Sequence, residues 1–372
     1  MGPTMSNGTK QRIRVLVVDD SALVRKAISD ALSQDPEIEV VGTACDPYVA
    51  REKIVALDPD VLTLDLEMPR MDGLTFLRIL MQHHPLPVVV VSSLTQAGSQ
   101  AAMDAVEAGA VDVLAKPGGH TTVGGLAEKL AFHVKAAAAS TRFRSRRLRD
   151  VGVAPAAPAA PAARPTPGNA TQKPVFSGRA DPRQLIVIGS STGGIEALRT
   201  VLPQLPEGLP PIAIVQHISA YFSKVVAERL NAICPFTVRE AEDGMLIQRG
   251  MCVIAPGDHH MTVQWEGDSY RARLVQTPAI HHCRPSVDVL FRSAAETGGK
   301  RVVAALLTGM GSDGALGLKA IREAGGTTIA EHEKTCVVYG MPRAEIQMGV
   351  VDQVVPLPLV AEAILESVAK KR

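Results

Sequence analysis

This sequence lacks charge imbalance, long apolar runs and clustered cysteines. Its formal net charge is +1, so no global field favours nucleic acid or a membrane surface. No apolar run reaches transmembrane length, which argues against direct insertion into a membrane. Residues 1–11 carry no apolar signal core and read as a disordered leader, with Met5 as a second candidate start. The five cysteines, Cys45, Cys234, Cys252, Cys283 and Cys336, are odd in number and widely spaced. None forms a metal-type pair, so they read as reduced thiols in a cytoplasm. Aromatics are only 3% of the chain, but a hydrophobic content of 46% suits globular cores. A length of 372 residues suffices for two domains of ordinary size.

What the chain does have is organised around Leu185-Ile-Val-Ile-Gly-Ser-Ser-Thr-Gly-Gly194. Leu185–Gly189 reads as a fully buried strand, and the residues from Ile195 to Leu202 read as a helix. A strand that breaks at glycines and opens a helix puts side chains at the carboxyl edge of a sheet. Gly189-x-Ser191-x-Gly193 is also the nucleophile-elbow string, in which small residues let a Ser sit on a sharp turn. A phosphate cradle and plain strand–helix punctuation compete with that reading. Two further strands favour the nucleophile. Ile212–His217 ends in a His, and Arg301–Asp313 ends in a Gly-rich turn with an Asp. If the three strands are parallel neighbours, Ser191, His217 and Asp313 meet at one sheet edge as hydroxyl nucleophile, base and orienter.

Upstream, strand and helix alternate five times between residues 12 and 140, which predicts a (βα)5 unit with a parallel sheet covered on both faces. Asp19 and Asp20 follow the first strand and Asp65 the third; Ser92 ends the fourth, and Lys116-Pro117 follows the fifth. Three carboxylates at one sheet edge call for a compensating hard cation such as Mg²⁺. A hydroxyl and a Lys nearby suit the transfer of a phosphoryl group to Asp65. The alternative for Asp20 is a helix cap. Val17-Val-Asp-Asp-Ser21, Asp65-Leu-Glu-Met-Pro-Arg-Met-Asp-Gly73, Val91-Ser-Ser93 and Lys116-Pro117 resemble the motifs of response-regulator receiver domains. The resemblance implies Asp65 as phospho-acceptor. It implies Asp19, Asp20, Asp65 and the Glu67 backbone carbonyl as Mg²⁺ ligands, with Ser92 and Lys116 sensing the phosphate. Receivers usually carry an aromatic residue three positions before that Lys; here it is Val113.

Residues 141–182 read as a linker. Arg142–Arg149 holds five arginines in eight residues, a solvated helix end in preference to a nucleic-acid patch. Val153–Pro167 is rich in Ala and Pro and reads as extended and semi-stiff. The second domain, residues 183–372, is expected to be a doubly wound α/β unit with a mainly parallel sheet and a small hairpin at Val263–Trp265 and Tyr270–Leu274. A helix over Ser286–Thr297 is expected to be capped by Ser286. His259, His260, His281 and His282 have no acidic or Cys partner at ligand spacing, so metal hydrolysis is disfavoured. The order Ser191, His217, Asp313 argues against the α/β-hydrolase superfamily, though not against the chemistry.

Gly189-Ser-Ser-Thr-Gly-Gly-Ile-Glu-Ala197, Gln216-His217, Ile254-Ala-Pro-Gly257, Arg284-Pro-Ser-Val-Asp-Val-Leu-Phe291, Leu307-Thr-Gly-Met-Gly-Ser-Asp-Gly-Ala315 and Thr335-Cys-Val-Val-Tyr-Gly-Met-Pro342 resemble the catalytic domain of the chemotaxis protein-glutamate methylesterases, the CheB family. The resemblance implies a phosphorylation-activated hydrolase that removes methyl groups from glutamate esters on chemoreceptors and deamidates receptor glutamines. Ser191 is then the nucleophile, His217 its base and Asp313 the orienter. The backbone N–H groups of Thr192 and Met310 resemble the family's oxyanion donors, and ester hydrolysis needs no cofactor. The implied partners are methyl-accepting chemoreceptors as substrate and the chemotaxis histidine kinase as phosphodonor, with no nucleic acid. A cytoplasmic monomer is expected, with the unphosphorylated receiver masking the active site. A phosphorylation-controlled binding module or transcription regulator on a dead hydrolase fold is the competing class. It gains only from the arginine run, since no helix-turn-helix signature follows the linker.

Overall fold

The computed structural model describes residues 12–93, 95–116, 123–140 and 181–370. These divide into two compact units, the first ending at Ala139 and the second beginning at Ser140. The expected leader, the arginine run and the Ala/Pro-rich linker lie outside the described residues, as does Pro117. Among the described residues no helix is long and apolar enough to cross a membrane.

The first unit alternates β1 (Ile13–Val18), α1 (Ala22–Leu32), β2 (Ile38–Ala44), α2 (Pro47–Leu57), β3 (Val61–Leu64), α3 (Gly73–His83), β4 (Val88–Ser92), α4 (Gln96–Glu107), β5 (Asp112–Ala115) and α5 (Val123–Ala138). The strands form one parallel sheet in the order β2-β1-β3-β4-β5. Aliphatic runs such as Val88-Val-Val-Val91 are buried throughout, as a sheet covered on both faces requires. The strand order reverses direction between β1 and β3, and side chains at their carboxyl ends share the crevice this opens. Asp19, Asp20 and Asp65 occupy those ends. Asp20 is not the helix cap. Ser21 caps α1, its hydroxyl accepting from Val24 N, which leaves the Asp20 carboxylate for the crevice.

The second unit is built on seven parallel strands: β6 (Leu185–Ser190), β7 (Ile212–Gln216), β8 (Thr237–Glu240), β10 (Met251–Ile254), β13 (Val302–Leu306), β14 (Thr327–Glu331) and β15 (Gln353–Val355). Their order is β15-β14-β13-β6-β7-β10-β8. From β6 the chain winds outward through β7 to one edge and later, from β13, to the other, so the switch point lies between β6 and β13. Helices α6 (Gly194–Val201), α7 (Ala220–Ile233), α8 (Val287–Gly298), α9 (Ala315–Glu323), α10 (Met341–Gln347) and α11 (Val360–Lys370) connect and cover the sheet. A separate antiparallel sheet joins β11 (His260–Glu266) and β12 (Ser269–Val275) to the two-residue β9 (Leu246–Ile247).

This second sheet is larger than the expected hairpin. Pairing runs out to His260↔Val275, through polar residues whose alternation the sequence does not advertise. β9 and β15 are too short to display a period of two. The core beneath α8 joins Val287, Leu290 and Phe291 to Val187, Ala304 and Leu306, all fully buried. Gly317 lets α9 approach α8, because a Cβ there would stand 2.5 Å from the Phe291 Cβ.

Candidate active site

The carboxyl ends of β6, β7 and β13 bring three sequence-predicted residues to one place. Ser191 follows β6 and is 2% exposed. Its N–H donates to Thr308 O at 3.0 Å, and its carbonyl accepts from Gly194 N at 2.7 Å. The left-handed residue of this turn is Gly193, with φ 78°, and not Ser191. The sharp turn expected of the Gly-x-Ser-x-Gly string thus takes its left-handed residue at Gly193. Ser191 is held by the Thr308 backbone and by crowding. A Cβ on Gly309 would lie 2.7 Å from the Ser191 Cβ.

Ser190 and Ser191 have different fates. The Ser190 hydroxyl donates to Gln216 Oε1 at 2.6 Å. Gln216 Nε2 in turn donates to the carbonyls of Ser191 and His217, at 2.9 and 3.0 Å. Gln216 thus ties the end of β6 to the end of β7 and uses up the Ser190 hydroxyl. Among the described residues the Ser191 hydroxyl has no such partner.

His217 Nε2 lies 2.7 Å from Asp313 Oδ2, and both side chains are almost fully buried. Three donors from the start of α8 converge on the same carboxylate. Ser286 Oγ donates to Oδ1 at 2.8 Å, Asp288 N to Oδ1 at 3.1 Å, and Val287 N to Oδ2 at 2.7 Å. The helix N-terminus favours negative charge there. Burial alone pushes the Asp313 pKa up, but the bond and charge of His217, with Ser286 and the Val287 N–H, outweigh it, and the pKa is lowered. Burial likewise opposes the imidazolium of His217. The bond and charge of Asp313 favour it, and the His217 pKa is raised. Because an ionised Asp313 only accepts, Nε2 carries the proton in the neutral ring and Nδ1 is its acceptor. The Cys283 sulfur lies 3.4 Å from Nδ1.

Thr192 is buried, and its carbonyl accepts from Thr308 Oγ1 at 3.0 Å. Met310 follows Gly309 in the turn between β13 and α9, the same turn that carries Asp313. Thr192 thus directly follows Ser191, and Met310 follows the glycine packed against the Ser191 Cβ.

Sequence reasoning missed several supports. Ser286 was expected to cap α8; it occupies the cap position but makes no side-chain capping bond, because its hydroxyl serves Asp313. His260 is fully buried; its Nδ1 accepts from Ser286 N and its Nε2 faces Pro278 O, at 3.1 Å each. The absence of an acidic partner for His281 is corrected: the fold carries Asp288 Oδ2 to 3.6 Å from His281 Nε2. A hydroxyl at Ser286 and a carboxylate at Asp288, at the start of an apolar helix, are the one local sign of these roles. The contacts join segments that no local spacing connects.

In the first unit, Lys116 Nζ sits 2.9 Å from Asp19 Oδ2 and 2.8 Å from Asp65 Oδ2. Asp65 Oδ1 accepts from Glu67 N at 3.2 Å, while Glu67 Oε1 accepts from Ser93 Oγ. Burial raises the pKa of Asp65 against the pull of Lys116. One partly buried ammonium, that of Lys116, is thus shared between the Oδ2 atoms of Asp19 and Asp65. Carboxylate atoms of Asp19, Asp20 and Asp65 lie within 4.8 Å of one another. An all-oxygen donor set with more negative charge than a single Lys offsets fits a hard divalent cation. Ser92 is buried at the same sheet edge, but its hydroxyl donates to Gly98 O at 3.2 Å. Val113 is buried in β5.

Comparison with known proteins matches each unit to a family. A family model described as CheB methylesterase matches residues 186–364, and one described as the response regulator receiver domain matches residues 15–123. A protein-glutamate methylesterase/protein-glutamine glutaminase of Syntrophus aciditrophicus is 45% identical, over 96% of this chain and 99% of its own. A homologue of the same name from Rhodospirillum rubrum is 47% identical, over 96% of this chain and 99% of its own. The crystal structure of the Thermotoga maritima CheB methylesterase catalytic domain is 40% identical and covers 49% of this chain and 97% of its own, with a TM-score of 0.48.

Proposed function

The chain belongs to the CheB methylesterase family, and on that premise we propose that its second unit hydrolyses glutamate γ-methyl esters on chemoreceptors under the control of its first. The observation that carries the reading is the His217–Asp313 pair, held at 2.7 Å beside the Ser191 turn at the switch point of one parallel sheet. We assign residues 12–140 to the receiver, 141–182 to the linker and 183–372 to the catalytic domain, working in the cytoplasm as a monomer.

In this mechanism the Ser191 hydroxyl attacks the ester carbonyl as His217 Nδ1 takes its proton. Asp313 steadies the imidazolium through Nε2. The N–H groups of Thr192 and Met310 meet the oxyanion, and one such donor is worth on the order of 10²–10³ in rate. The imidazolium then protonates the departing methoxide, and methanol leaves. Water, deprotonated by the same ring, cleaves the acyl-enzyme to free glutamate and Ser191. With a glutamine side chain the steps are the same and ammonia leaves.

In the receiver, Asp65 is the phosphoryl acceptor, with a histidine kinase as donor. Asp19, Asp20, Asp65 and the Glu67 carbonyl would hold Mg²⁺, which supplies charge neutralisation for phosphoryl transfer. Lys116, already beside Asp65, pairs with the phosphate, and Ser92 exchanges its Gly98 bond for it. The small, buried Val113 cannot act as the aromatic reporter of that change. The test is methanol release from membranes bearing methylated receptors, with and without a small-molecule phosphodonor. Release that rises with phosphodonor supports the assignment; no release from folded protein phosphorylated on Asp65 would overturn it.

Two variants sharpen the reading. Asp65→Asn is expected to abolish stimulation by phosphodonor while leaving basal release within about twofold, since the carboxylate is the acceptor and belongs to the other unit. Persisting stimulation would point to another acceptor. Gly309→Ala is expected to lower kcat roughly 10²-fold, the scale of a 1 Å misplacement of a reacting group. Its new Cβ must displace Ser191 or the Met341 sulfur, which would stand 2.3 Å away. Steady-state kinetics with unchanged kcat would show that the Ser191 turn tolerates the shift.

A further inference from the structure

Asp313 fixes one nitrogen of His217; the other faces a thiol. Cys283 Sγ is 3.4 Å from Nδ1, the atom that must take the Ser191 proton, and Ser191 has no hydrogen bond to that nitrogen among the described residues. The thiol is aimed there by a clamped backbone. Cys283 N donates to Ile280 O at 2.8 Å and Ile280 N to Cys283 O at 3.0 Å. The two residues between them, His281 and His282, take left-handed backbone with φ 50° and 61°. On the other side Arg284 is tied to Asp258 Oδ1 by Nε and Nη2, at 3.1 and 2.6 Å, and to Thr277 O at 3.0 Å. Four residues are thus bent and pinned around a single side chain that points at the base.

We propose that Cys283 is a positioning residue for ester hydrolysis, holding His217 Nδ1 at the Ser191 turn until the serine hydroxyl replaces the thiol as its hydrogen-bond donor. The proposal rests on the esterase reading above. With Nε2–H committed to Asp313, the S–H donates to Nδ1 and locks both the tautomer and the ring plane. On substrate binding the Ser191 O–H takes the same lone pair, and the thiol yields without moving its backbone. No covalent bond to sulfur is made or broken. Among the described residues the titratable groups beside the ring are Asp313, from the turn after β13, and Cys283, from the turn before α8; the turn after β6 brings the Ser191 hydroxyl. Cys283 therefore orients the ring, and as a neutral donor to the Nδ1 lone pair it competes with protonation there, while Asp313 favours the imidazolium.

Substitution tests this. Cys283→Ser retains a donor to Nδ1 and is expected to keep kcat within about threefold, while Cys283→Ala leaves Nδ1 unheld and is expected to lose roughly tenfold or more in kcat with little change in KM. In the Ala variant the acid limb of the kcat/KM profile is expected to move to higher pH, because no neutral donor then competes with the proton for Nδ1, while the Ser variant keeps its limb. The same displacement is expected in a substrate-free titration of the His217 imidazole nitrogens by ¹⁵N NMR, on full-length protein whose fold is checked by its melting curve. Loss of kcat in the Ala variant with neither pH limb nor titration moved would reduce Cys283 to packing and overturn the proposal. So would Ser and Ala variants that both match the wild type. Wild-type protein that releases no methanol overturns the esterase reading, whatever the imidazole titration shows. Release by wild type with a titration indifferent to Cys283 overturns this proposal alone.

Discussion

Ser191→Ala is expected to abolish methanol release, a loss on the order of 10⁶-fold in kcat if the residues act as one unit, while the protein melts as the wild type does. The fold should not notice the change. The contacts that anchor residue 191 are made by its backbone: N–H to Thr308 O, and carbonyl to Gly194 N and Gln216 Nε2. An alanine makes all of them. Ser190 cannot substitute as nucleophile, because its hydroxyl is spent on Gln216 Oε1 at 2.6 Å, behind the turn. The measurement is single-turnover hydrolysis on methylated receptor membranes, set beside a thermal melt. Activity of the variant within about tenfold of wild type would remove Ser191 from the mechanism. The chemistry would then have to start from a water activated by His217.

The main features of this site are legible in sequence because they sit where strands end. An aliphatic run buried on both faces can only be an inner strand, and the residue after it must emerge at a sheet edge. That argument places Asp19, Asp65, Ser191 and His217 from Val15–Val18, Val61–Leu64, Leu185–Ser190 and Ile212–Gln216 without knowledge of strand order; Asp313 comes later, in the Gly-rich turn that follows Val302–Leu306. It does not reach what approaches those edges from elsewhere. Ser286 reads as a helix cap because a hydroxyl before an apolar helix ordinarily is one; its true partner lies 27 residues away in sequence. Cys283 reads as a scattered thiol until the turn at residues 280–283 points it at His217. The glycines of the elbow string, at 189 and 193, serve different needs. A Cβ on Gly189 would stand 2.4 Å from Val287, whereas Gly193 takes the left-handed turn.

The role of Asp313 rests on a carboxylate that accepts on every side, and Asp313→Asn is the substitution that tests it. Its four donors are His217 Nε2, Ser286 Oγ, Val287 N and Asp288 N. An amide has only one acceptor oxygen. If its NH₂ faces His217 and Val287, it meets two N–H groups and forces the imidazole proton to Nδ1, where the lone pair for Ser191 has to be. If its NH₂ faces Ser286 and Asp288 instead, the Asp288 N–H loses its acceptor at the start of α8. Either way a buried donor is orphaned, a cost of about 1–3 kcal/mol in stability, and the imidazolium loses its counter-charge. The expected result is a fall in kcat of about 10⁴-fold, the scale set by a wrong imidazole tautomer in a Ser-His-Asp site. The stability difference has a definite sign with pH. The folded pKa of Asp313 is lowered, so its ionised form stabilises the fold above the unfolded carboxylate pKa, and that contribution is lost as pH falls through the folded value. The asparagine of the variant does not titrate. The gap between wild-type and variant melting temperatures should therefore be full at neutral pH and close in acid. A gap that stays constant as pH falls, with a kcat loss under about tenfold, would mean that Asp313 is packing at the end of β13 and that His217 finds its orientation elsewhere.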